Sequence, residues 1–490
     1  MRTTITLWLL AIAQVASFAQ SADIQGTITK SEVETHLRFL AADELMGRDT
    51  GTPELRVAAR YIASYMQSYG VQTVEGADGY YQTVPLMKQA PPQQASLQYG
   101  SQSLQLADDM LVIQGENGTT AAEVVFVDFG TEDDFAGKDI QDKIVISKAG
   151  APGESSPRTF LTAGADKQKR VKAGGGIALV ELYKSTQIPW TLLVRYLGGE
   201  RLSLSEEKEP ENPMPYIWIN DPENQHLEAF SQGNPEVTIS IEGKQGGKIL
   251  SQNVIGMIEG TDPDLQDEYL LLTAHYDHVG VEEGKNLEDS IYNGARDNGI
   301  GVASLLSATR YLSQHPPKRS VVLLAVTAEE KGLLGSQWYA ENPLLPMEKM
   351  IFNLNTDGAG YNDTTLITLI GLGRTSADGI FEDAAKAVGL KAVADPAPEQ
   401  NLFDRSDNVS FARMGVPAIT FSPGFTAFDQ EIMKYYHQLA DEVGSLHFNY
   451  LEKLCEAYVI AAEQIANMPQ APAWKEGDKY EPAAKELYGL

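Results

Sequence analysis

Imidazole and carboxylate side chains recur in short segments through the second half of this 490-residue chain. Each segment ends an apolar run or opens a glycine-rich turn, and the residues in chain order are His275, Asp297, Glu329, Glu330, Asp357 and His437. Two imidazoles and three carboxylates can complete a pair of open zinc sites, and one carboxylate is left over to act as a base. The pattern predicts a dinuclear metallohydrolase.

The residue types suggest roles for some of these groups. Two metals that act together lie only ~3.5–4 Å apart, so one carboxylate must bridge them, and the short, loop-borne Asp297 suits that position. A neutral imidazole ligand is usually oriented by a carboxylate on its other nitrogen. Asp277, two residues past His275, is the candidate for that ring. Asp441, four residues past His437, is the candidate for the second.

The elements that must position these groups can be read from the apolar runs. Five runs predict strands, at 269–273, 321–327, 350–355, 366–370 and 418–421. His275 follows the first run, the adjacent Glu329 and Glu330 follow the second, and Asp357 follows the third. Ligands bind at the carboxyl ends of strands in open α/β sheets, so we expect these side chains at one rim. One glutamate of the pair then binds a metal and its neighbour accepts a proton from water.

Helical patterns alternate with the strands, notably at 301–314 and 378–388. Strongly apolar strands separated by helices predict an α/β fold with a mixed, mainly parallel sheet covered by helices on both faces. The last helix is predicted at about 449–466. The charged, proline-containing tail after Pro469 is predicted to be a loosely ordered extension.

The predicted domain organisation begins with a signal peptide at residues 1–19. Arg2 provides a short positive region, residues 7–15 are apolar, and Ser17-Phe18-Ala19 fits a cleavage site, so we expect export to the periplasm or the medium. No later apolar run reaches ~18 residues, so no integral membrane span is expected after cleavage. The catalytic domain is predicted at 20–92 and 248–468, a β-rich insertion at 93–247, and the extension at 469–490.

Composition excludes some partners. Lys and Arg number 38 against 67 Asp and Glu, giving a formal net charge of −29. Such a surface repels nucleic acid and anionic lipid, and no basic run offsets it, so no nucleic-acid partner is expected. The single cysteine, Cys455, lies in a helical pattern and is predicted to be a core residue rather than a nucleophile.

Five motifs resemble those of the co-catalytic zinc aminopeptidases, which include bacterial leucyl aminopeptidases and the catalytic domain of glutamate carboxypeptidase II. They are TAHYDH at 273–278, GARDNGIG at 294–301, TAEEKGLLGS at 327–336, NTD at 355–357 and YHQLAD at 436–441. The segment LAADELMGR at 40–48 is also similar to a motif of that family. Residues 120–185 resemble a protease-associated (PA) domain, which such enzymes often carry as an insertion.

The resemblance implies two zinc ions per chain. It implies that His275 and Asp357 hold one ion, that Glu330 and His437 hold the other, and that Asp297 bridges them. The implied reaction is the hydrolysis of amino-terminal residues from peptides by metal-activated water, so the expected partner is a peptide substrate. The sequence leaves the oligomeric state open.

The remaining roles also follow from the resemblance. Glu329 would be the general base, and Asp277 would orient His275. Many relatives have Ser-Asp-His where this chain has Ser406-Asp407-Asn408. That difference lies outside the implied ligand set and affects local substrate contacts instead.

Two alternatives stay open. The related dinuclear carboxypeptidases, dipeptidases and deacylases share the residue order, but they usually insert a lid or dimerisation domain between the last aspartate and the last histidine. Here that separation is only 437 − 357 = 80 residues, which favours the aminopeptidase. A receptor-like binding protein that kept the fold without catalysis is the non-enzymatic alternative.

Overall fold

The computed structural model of the chain describes residue 24 and residues 27–153, 157–184, 189–205, 214–233, 235–282 and 289–490. The predicted signal peptide, residues 1–19, lies outside the described residues. The chain divides into two compact units. The first, called the large unit below, comprises Met1–Pro85 and Leu250–Leu490, and the second, called the inserted unit, is Leu86–Ile249.

The described helices are numbered in chain order. They are α1 (Lys30–Leu40), α2 (Pro53–Ser68), α3 (Glu132–Phe135), α4 (Pro157–Ala173), α5 (Trp190–Leu197), α6 (Gln225–Ser231), α7 (Ile300–Gln314), α8 (Leu334–Glu341), α9 (Asp378–Ala387), α10 (Asn408–Met414), α11 (Gln430–Met433), α12 (Phe448–Ala466) and α13 (Glu481–Tyr488). Short 3-10 turns cover Asp43–Arg48, Met347–Lys349, Pro398–Gln400, Leu402–Arg405 and Val443–Ser445, and a π turn covers Ala295–Gly299. None of the helices within the described part of the chain is long and apolar enough to cross a bilayer.

The strands are numbered in the same way. They are β1 (Tyr81–Gln89), β2 (Gln94–Tyr99), β3 (Gln102–Gln105), β4 (Met110–Gln114), β5 (Gly118–Phe126), β6 (Ile144–Lys148), β7 (Ala178–Tyr183), β8 (Arg201–Leu204), β9 (Tyr216–Asn220), β10 (Glu236–Glu242), β11 (Gly246–Ile258), β12 (Tyr269–His275), β13 (Ser320–Val326), β14 (Met350–Thr356), β15 (Leu366–Ile370), β16 (Lys391–Ala394) and β17 (Ala418–Pro423).

The sheet of the large unit has the strand order β16-β15-β17-β14-β12-β13-β11-β1. The pairs β12–β13, β12–β14, β14–β17 and β15–β16 are parallel, whereas β11–β13 and β15–β17 are antiparallel. The predicted α/β class, with a mixed and mainly parallel sheet, is therefore confirmed. The five predicted runs coincide with strands β12, β13, β14, β15 and β17 to within two residues at each end.

The central strands are apolar along their whole length because both of their faces are covered. In β12, Leu270 and Leu272 pack in one hydrophobic cluster and Leu271 in another. The same alternation runs through β13, where Leu323 belongs to the first cluster and Leu324 to the second. Side chains on a strand alternate between faces, so each cluster fills one side of the sheet.

Different helices cover the two faces. Residues of α1, α2, α7, α9 and α12 contribute to the larger cluster, whereas α8 and α10 contribute to the smaller one, with Leu487 of α13 packed against it. Cys455 of α12 is buried in the larger cluster, as predicted for a core residue. Loops at the carboxyl ends of the parallel strands stay accessible between these layers.

The prediction of a loosely ordered tail after Pro469 is wrong. Trp474 is only 7% exposed and donates a hydrogen bond from Nε1 to the Gly415 carbonyl oxygen at 3.0 Å. The segment then forms α13, and the Tyr488 hydroxyl donates to the Met350 carbonyl oxygen at 2.6 Å. Its charge pattern concealed the buried aromatic side chains that fix it to the large unit.

The inserted unit contains a sheet with the strand order β3-β2-β10-β5-β6-β7-β9-β4. The pairs β5–β6, β6–β7 and β7–β9 are parallel and the remaining pairs in this sheet are antiparallel. Phe230 of α6 packs in a cluster on one side, and Phe160 and Val171 of α4 pack in a second cluster. This unit has its own hydrophobic cores.

Candidate metal centre

Three predicted site segments meet at the carboxyl edge of the parallel strands. His275 is the last residue of β12, the Glu329-Glu330 pair follows β13, and Asp357 comes directly after β14. The strands β12, β13 and β14 are adjacent and parallel, so their ends coincide. The chain therefore brings together side chains that are up to 82 residues apart in sequence.

Asp297 and His437 complete the set from two loops. Asp297 lies in the π turn just before α7, and His437 lies after α11. The candidate donor atoms form two groups, each with all its atoms within 4.8 Å of one another. One group contains His275, Glu329 and Asp357, and the other contains His278, Asp297, Glu330 and His437.

The Asp297 carboxylate lies between the two groups. Its Oδ1 is 3.3 Å from His275 Nε2, and its Oδ2 is 3.2 Å from His437 Nε2. His275 Nε2 is also 3.1 Å from Asp357 Oδ1, and His437 Nε2 is 3.0 Å from Glu330 Oε2. Each imidazole thus faces its own carboxylate and one oxygen of Asp297, which is the arrangement that a bridging ligand requires.

The loop that carries Asp297 is held by residues distant in sequence. The Asp441 carboxylate accepts hydrogen bonds from the backbone N–H groups of Arg296, at 3.0 Å, and of Asp297, at 3.2 Å. Arg296 Nη1 adds an ion pair to Asp441 at 3.2 Å. The buried Arg48 donates to the carbonyl oxygens of Asn293 and Gly294 at 2.6 and 2.9 Å. These contacts fix the backbone of the turn that carries Asp297.

The predicted orientation of His437 by Asp441 needs correction. Among the described residues, the hydrogen bonds to the Asp441 carboxylate come from Arg296 and Asp297 rather than from His437. The short sequence separation suggested a local contact. His437, however, has a left-handed backbone with φ of 53° and its ring stacks on Tyr436, with centroids 4.2 Å apart. This backbone, sparsely populated for a residue with a side chain, aims the imidazole at the site.

Asp277 contacts His275 more closely through its backbone carbonyl oxygen than through its carboxylate. His275 Nδ1 is 3.2 Å from the Asp277 carbonyl oxygen, and 3.9 Å from the nearest carboxylate oxygen. The carboxylate accepts hydrogen bonds from the backbone N–H groups of Glu329 at 3.1 Å and of Glu330 at 3.3 Å. Asp277 therefore ties the ends of β12 and β13 together, and the tautomer of His275 is fixed by a carbonyl oxygen.

Asp357 is held by a chain of hydrogen bonds across the sheet. The Ser406 hydroxyl donates to Asp357 Oδ2 at 2.5 Å, and Asn355 Nδ2 donates to the Ser406 hydroxyl at 2.8 Å. The Thr273 hydroxyl donates to Asn355 Oδ1 at 2.7 Å. Sequence reasoning did not assign Ser406 a role at this aspartate, although it noted the surrounding segment.

His278 also lies in the site, hydrogen-bonded to a neighbouring carboxylate. Its Nδ1 is 2.8 Å from Glu330 Oε1, whereas His437 lies near the other oxygen of that carboxylate. The ring is fully buried and Nε2 has no hydrogen-bond partner among the described residues. His278 therefore fixes the orientation of Glu330.

Opposed electrostatic effects set the protonation preferences of the site. Burial lowers the pKa of His275, but the charges of Glu329 and Asp357 outweigh it and raise that pKa well above its ordinary value. Burial disfavours ionised Asp297, yet hydrogen bonds from His275 and His437 hold its pKa well below the ordinary value. Burial, with the charges of Asp357 and of Glu330, raises the pKa of Glu329 well above its ordinary value.

The donor set fits a pair of divalent cations. Four carboxylates crowd together, and the nearest buried arginines are bonded elsewhere, Arg48 to carbonyl oxygens and Arg296 to Asp441. Uncompensated buried carboxylates are costly unless a cation or hydrogen bonds balance them. Mixed imidazole and carboxylate donors are ligands that zinc takes in catalytic sites.

A cavity of about 90 Å³ opens over this centre. Beyond the metal-binding candidates, one part of its wall is apolar. That part includes Ile370, Leu402, Phe425, Phe428 and Ile432, whereas Ser406, Thr420 and Ser422 contribute hydroxyl groups. Arg405 and Tyr436 add polar atoms, and Arg405 Nη2 donates to the Tyr436 hydroxyl at 3.3 Å. The site can therefore enclose an apolar group next to the carboxylates.

Comparison with known proteins matches residues 253–460 to peptidase family M28. Residues 253–460 therefore form an M28-like domain within this chain. This domain contains all six residues of the predicted series, and the resemblance inferred from the five motifs is confirmed. Arg48 and the tail after Pro469 lie outside the matched residues.

Curated relatives differ in how much they share with this chain. A vacuolar membrane protease of Saccharomyces cerevisiae is 36% identical over 110 residues, which is 22% of this chain and 10% of that protein. The match thus spans about a tenth of the length of the yeast relative. The aminopeptidase YwaD of Bacillus subtilis is 25% identical over 361 residues, 69% of this chain and 73% of that protein.

Two solved structures share the fold. An aminopeptidase from Aneurinibacillus sp. strain AM-1 aligns with a TM-score of 0.63 at 21% identity, covering 93% of this chain and 97% of that one. BSAP, a zinc aminopeptidase from Bacillus subtilis, aligns with a TM-score of 0.52 at 19% identity over the same shares of the two chains. The M28 domain and the inserted unit therefore both have counterparts within these similar chains.

Proposed function

We propose that this chain is an exported dinuclear zinc aminopeptidase that hydrolyses amino-terminal residues from peptides. The observation that carries the proposal is the Asp297 carboxylate, whose oxygens lie 3.3 and 3.2 Å from two imidazoles in two separate donor groups. The similar bacterial aminopeptidases support the same activity.

The contacts support a ligand assignment in which His275 and Asp357 would hold one zinc, Glu330 and His437 would hold the other, and Asp297 would be shared. Zinc at such a site lowers the pKa of water and polarises a scissile carbonyl. The protein's own contribution is to fix these ligands, because Asp277, Asp441 and Ser406 hold their backbone or side chains in place.

Glu329 is the general base in this proposal. It belongs to the donor group of His275 and Asp357 and lines the cavity. Among the described residues, none donates a hydrogen bond to the Glu329 carboxylate, whereas Glu330 faces both His278 and His437. Glu329 accepts the proton of the attacking water and passes it to the leaving amine.

The cavity favours a peptide amino terminus with an apolar side chain. Its carboxylates are complementary to an α-ammonium group, and Ile370, Leu402, Phe425 and Phe428 are complementary to an aliphatic or aromatic side chain. Tyr436, whose hydroxyl faces Arg405 beside the site, is a candidate donor to the developing oxyanion.

One observation favours a carboxypeptidase as the second candidate. Arg405 is exposed in the cavity wall and, in the part of the chain that the structure describes, has no carboxylate partner. A guanidinium in that position can bind a peptide's terminal carboxylate in a bidentate manner. The substrate panel below separates the two directions of cleavage.

The central experiment tests activity with substrates of both polarities. We expect release of amino-terminal leucine from leucyl peptides and leucine amide, and loss of that release with a chelator. Glu329→Gln should lower kcat about 10²–10⁴-fold, because the proton acceptor is removed, while zinc content is retained. Glu341→Gln, on the exposed end of α8, is the matched control and should keep full activity.

The possible contrary results are distinct. Near-normal turnover in Glu329→Gln would remove the base assignment but leave the activity. Cleavage only from the carboxyl end would establish the second candidate. A protein that binds no zinc and hydrolyses neither substrate class would support the receptor-like alternative.

We also propose a signal peptide at residues 1–19 and a PA-like domain at residues 93–247. The support is the short apolar run before Ser17-Phe18-Ala19, and a compact unit, Leu86–Ile249, at nearly the same bounds as the insertion. Amino-terminal sequencing of exported protein should start near Gln20. A crystal structure whose inserted unit does not superpose on PA domains would contradict the second assignment.

A further inference from the structure

The C-terminal segment contacts a short loop beside the metal centre. Residues 474–480, called the clasp below, lie outside the M28 match and pack on the 3-10 turn Leu402–Arg405. The Tyr480 hydroxyl donates to Asp404 Oδ1 at 2.7 Å, and Lys479 Nζ is within 2.7 Å of both oxygens of Asp404. Asp404 is thus engaged by two consecutive residues of the clasp.

The clasp also surrounds the neighbouring aromatic ring. The Phe403 ring stacks on Tyr480, with centroids 5.9 Å apart, and meets Trp474 edge-on at 6.3 Å. The Arg374 guanidinium lies 3.9 Å from the centroid of the Phe403 ring. Asp478 fixes that guanidinium through hydrogen bonds of 2.7 and 2.9 Å. Phe403 is therefore held by the clasp both directly and through Arg374.

The clasp itself is anchored tightly to the large unit. Gly415 has φ of 104°, and a side-chain carbon at this position would lie 2.6 Å from the Ala483 carbonyl oxygen in α13. The Gly415 carbonyl oxygen accepts the hydrogen bond from the Trp474 indole. Only glycine permits both the left-handed backbone and the close approach of α13 to this position. Gly415 therefore fixes the position of the clasp and of α13 on the large unit.

The other residues of the turn face the opposite way. Leu402 and Arg405 line the cavity over the metal centre, whereas Phe403 and Asp404 face the clasp. A turn of four residues has few hydrogen bonds of its own, so its position depends on what packs against it. Ser406, the next residue, is tied separately to the sheet by Asn355. A change in the position of the turn should therefore leave the position of Asp357 unchanged.

We propose that the clasp is part of the substrate-binding apparatus: by holding Phe403 and Asp404 it positions Leu402 and Arg405 in the cavity wall. The proposal rests on the aminopeptidase function proposed above. Lys479 and Tyr480 are positioning residues that act through the turn. The clasp sets how well the cavity fits a large apolar side chain at the substrate's amino terminus, and the metal ligands are unaffected by it.

The test uses the full chain with the double change Lys479→Ala and Tyr480→Phe, which removes the two donors that the clasp offers to Asp404 and keeps the aromatic ring. Leucine and alanine p-nitroanilides are the substrates, and zinc content is measured in parallel. We expect the KM for the leucine substrate to rise about fivefold, in line with the loss of hydrogen bonds to a charged group at a half-buried position. The KM for the alanine substrate and the zinc content should change less than about twofold, because the contacts that hold His275, Asp357 and Asp297 lie outside the clasp.

Hydrogen exchange supplies a readout apart from activity. The amides of residues 402–405 should exchange faster in the double variant, because the contacts that order the turn are lost. Lys485→Ala is the matched control: it breaks the exposed Lys485–Glu481 ion pair on α13, outside the clasp. The control should keep wild-type exchange and wild-type KM for both substrates.

The contrary outcomes separate this inference from the proposed function. An active wild type with an unchanged ratio of the two KM values in the double variant would overturn the clasp's role, even if exchange became faster. An equal rise in both KM values would also overturn it. A wild type that cleaves neither substrate would overturn the proposed function together with the inference.

Discussion

Both units of this chain bury charged side chains, but they balance them differently. In the inserted unit, fully buried Glu181 receives Lys167 Nζ at 2.5 Å and Trp218 Nε1 at 3.0 Å, together with the Tyr216 hydroxyl. In the large unit, the carboxylates at the sheet edge face one another and imidazoles, and nearby arginines are engaged elsewhere. Glu181 is paired with a lysine of the protein and needs no ligand. In the part of the chain that the structure describes, the carboxylates at the sheet edge have no lysine or arginine partner, and a bound cation would balance their charge.

The largest change expected from this comparison is in the inserted unit. Lys167→Met leaves Glu181 buried without its cation, and we expect a loss of about 3–5 kcal/mol in the stability of that unit. The measurement is hydrogen exchange of amides in β6 and β7, which lie in the core of the unit. Lys169→Met, on the same helix at an exposed position, should leave exchange unchanged. Equal protection in both variants would show that the ion pair contributes little.

Metal removal should act on the other unit. A ligand present at about 100 times its Kd stabilises the folded state by about 2.7 kcal/mol, so chelation should lower the stability of the large unit by about 3 kcal/mol. Amides of β12 and β14 should exchange faster, and those of β6 and β7 should not. Loss of protection in both units to the same degree would contradict the assignment of the cation to the sheet edge.

A smaller effect concerns His36 in α1. Burial, with the nearby charge of Arg310, lowers the pKa of His36 from 6.5 to about 4, and its Nδ1 lies 2.9 Å from the Tyr61 hydroxyl. The imidazole of His36 binds a proton more readily in the unfolded chain than in the folded one. The stability that neutral His36 permits is therefore complete above pH 6.5 and is lost as pH falls toward 4. We expect a loss of about 2 kcal/mol between pH 7 and pH 5.

The measurement for His36 is urea denaturation at the two pH values, followed through the large unit. His36→Leu removes the titrating group. The difference in the free energy of unfolding between pH 7 and pH 5 should therefore be smaller in this variant by about 2 kcal/mol. A variant with the same pH dependence as the wild type would show that other groups cause the acid destabilisation.

The sequence was sufficient for much of the large unit. Apolar runs of strand length predicted β12, β13, β14, β15 and β17, because strands covered on both faces have no polar side to obscure them. The position of His275, Glu330 and Asp357 after those strands predicted that they would meet. The pattern could not predict which residues hold each group in place. Asp277 accepts a hydrogen bond from the backbone of Glu329, 52 residues away, and Asp441 accepts one from the backbone of Asp297, 144 residues away.

The tail shows the opposite case. Its prolines and charges are typical of an extension without fixed structure, and the prediction followed that pattern. Trp474 and Tyr480 are nevertheless packed against Phe403. Aromatic residues in a charged segment carry enough apolar area to fix it when a complementary surface exists, and a linear pattern does not reveal that surface.

The sequence by itself determined the residue types of the site, the alternation of strands and helices, and the resemblance to the zinc aminopeptidases. These properties are local, since they depend on side-chain chemistry and on periodicity within a single element. The tertiary structure decided which oxygen of Asp297 faces which imidazole, that Asp277 and Asp441 hold backbone, and that the tail packs on the turn Leu402–Arg405. Those outcomes depend on contacts between segments far apart in the chain, whose geometry is fixed only when the sheet and its covering helices pack together.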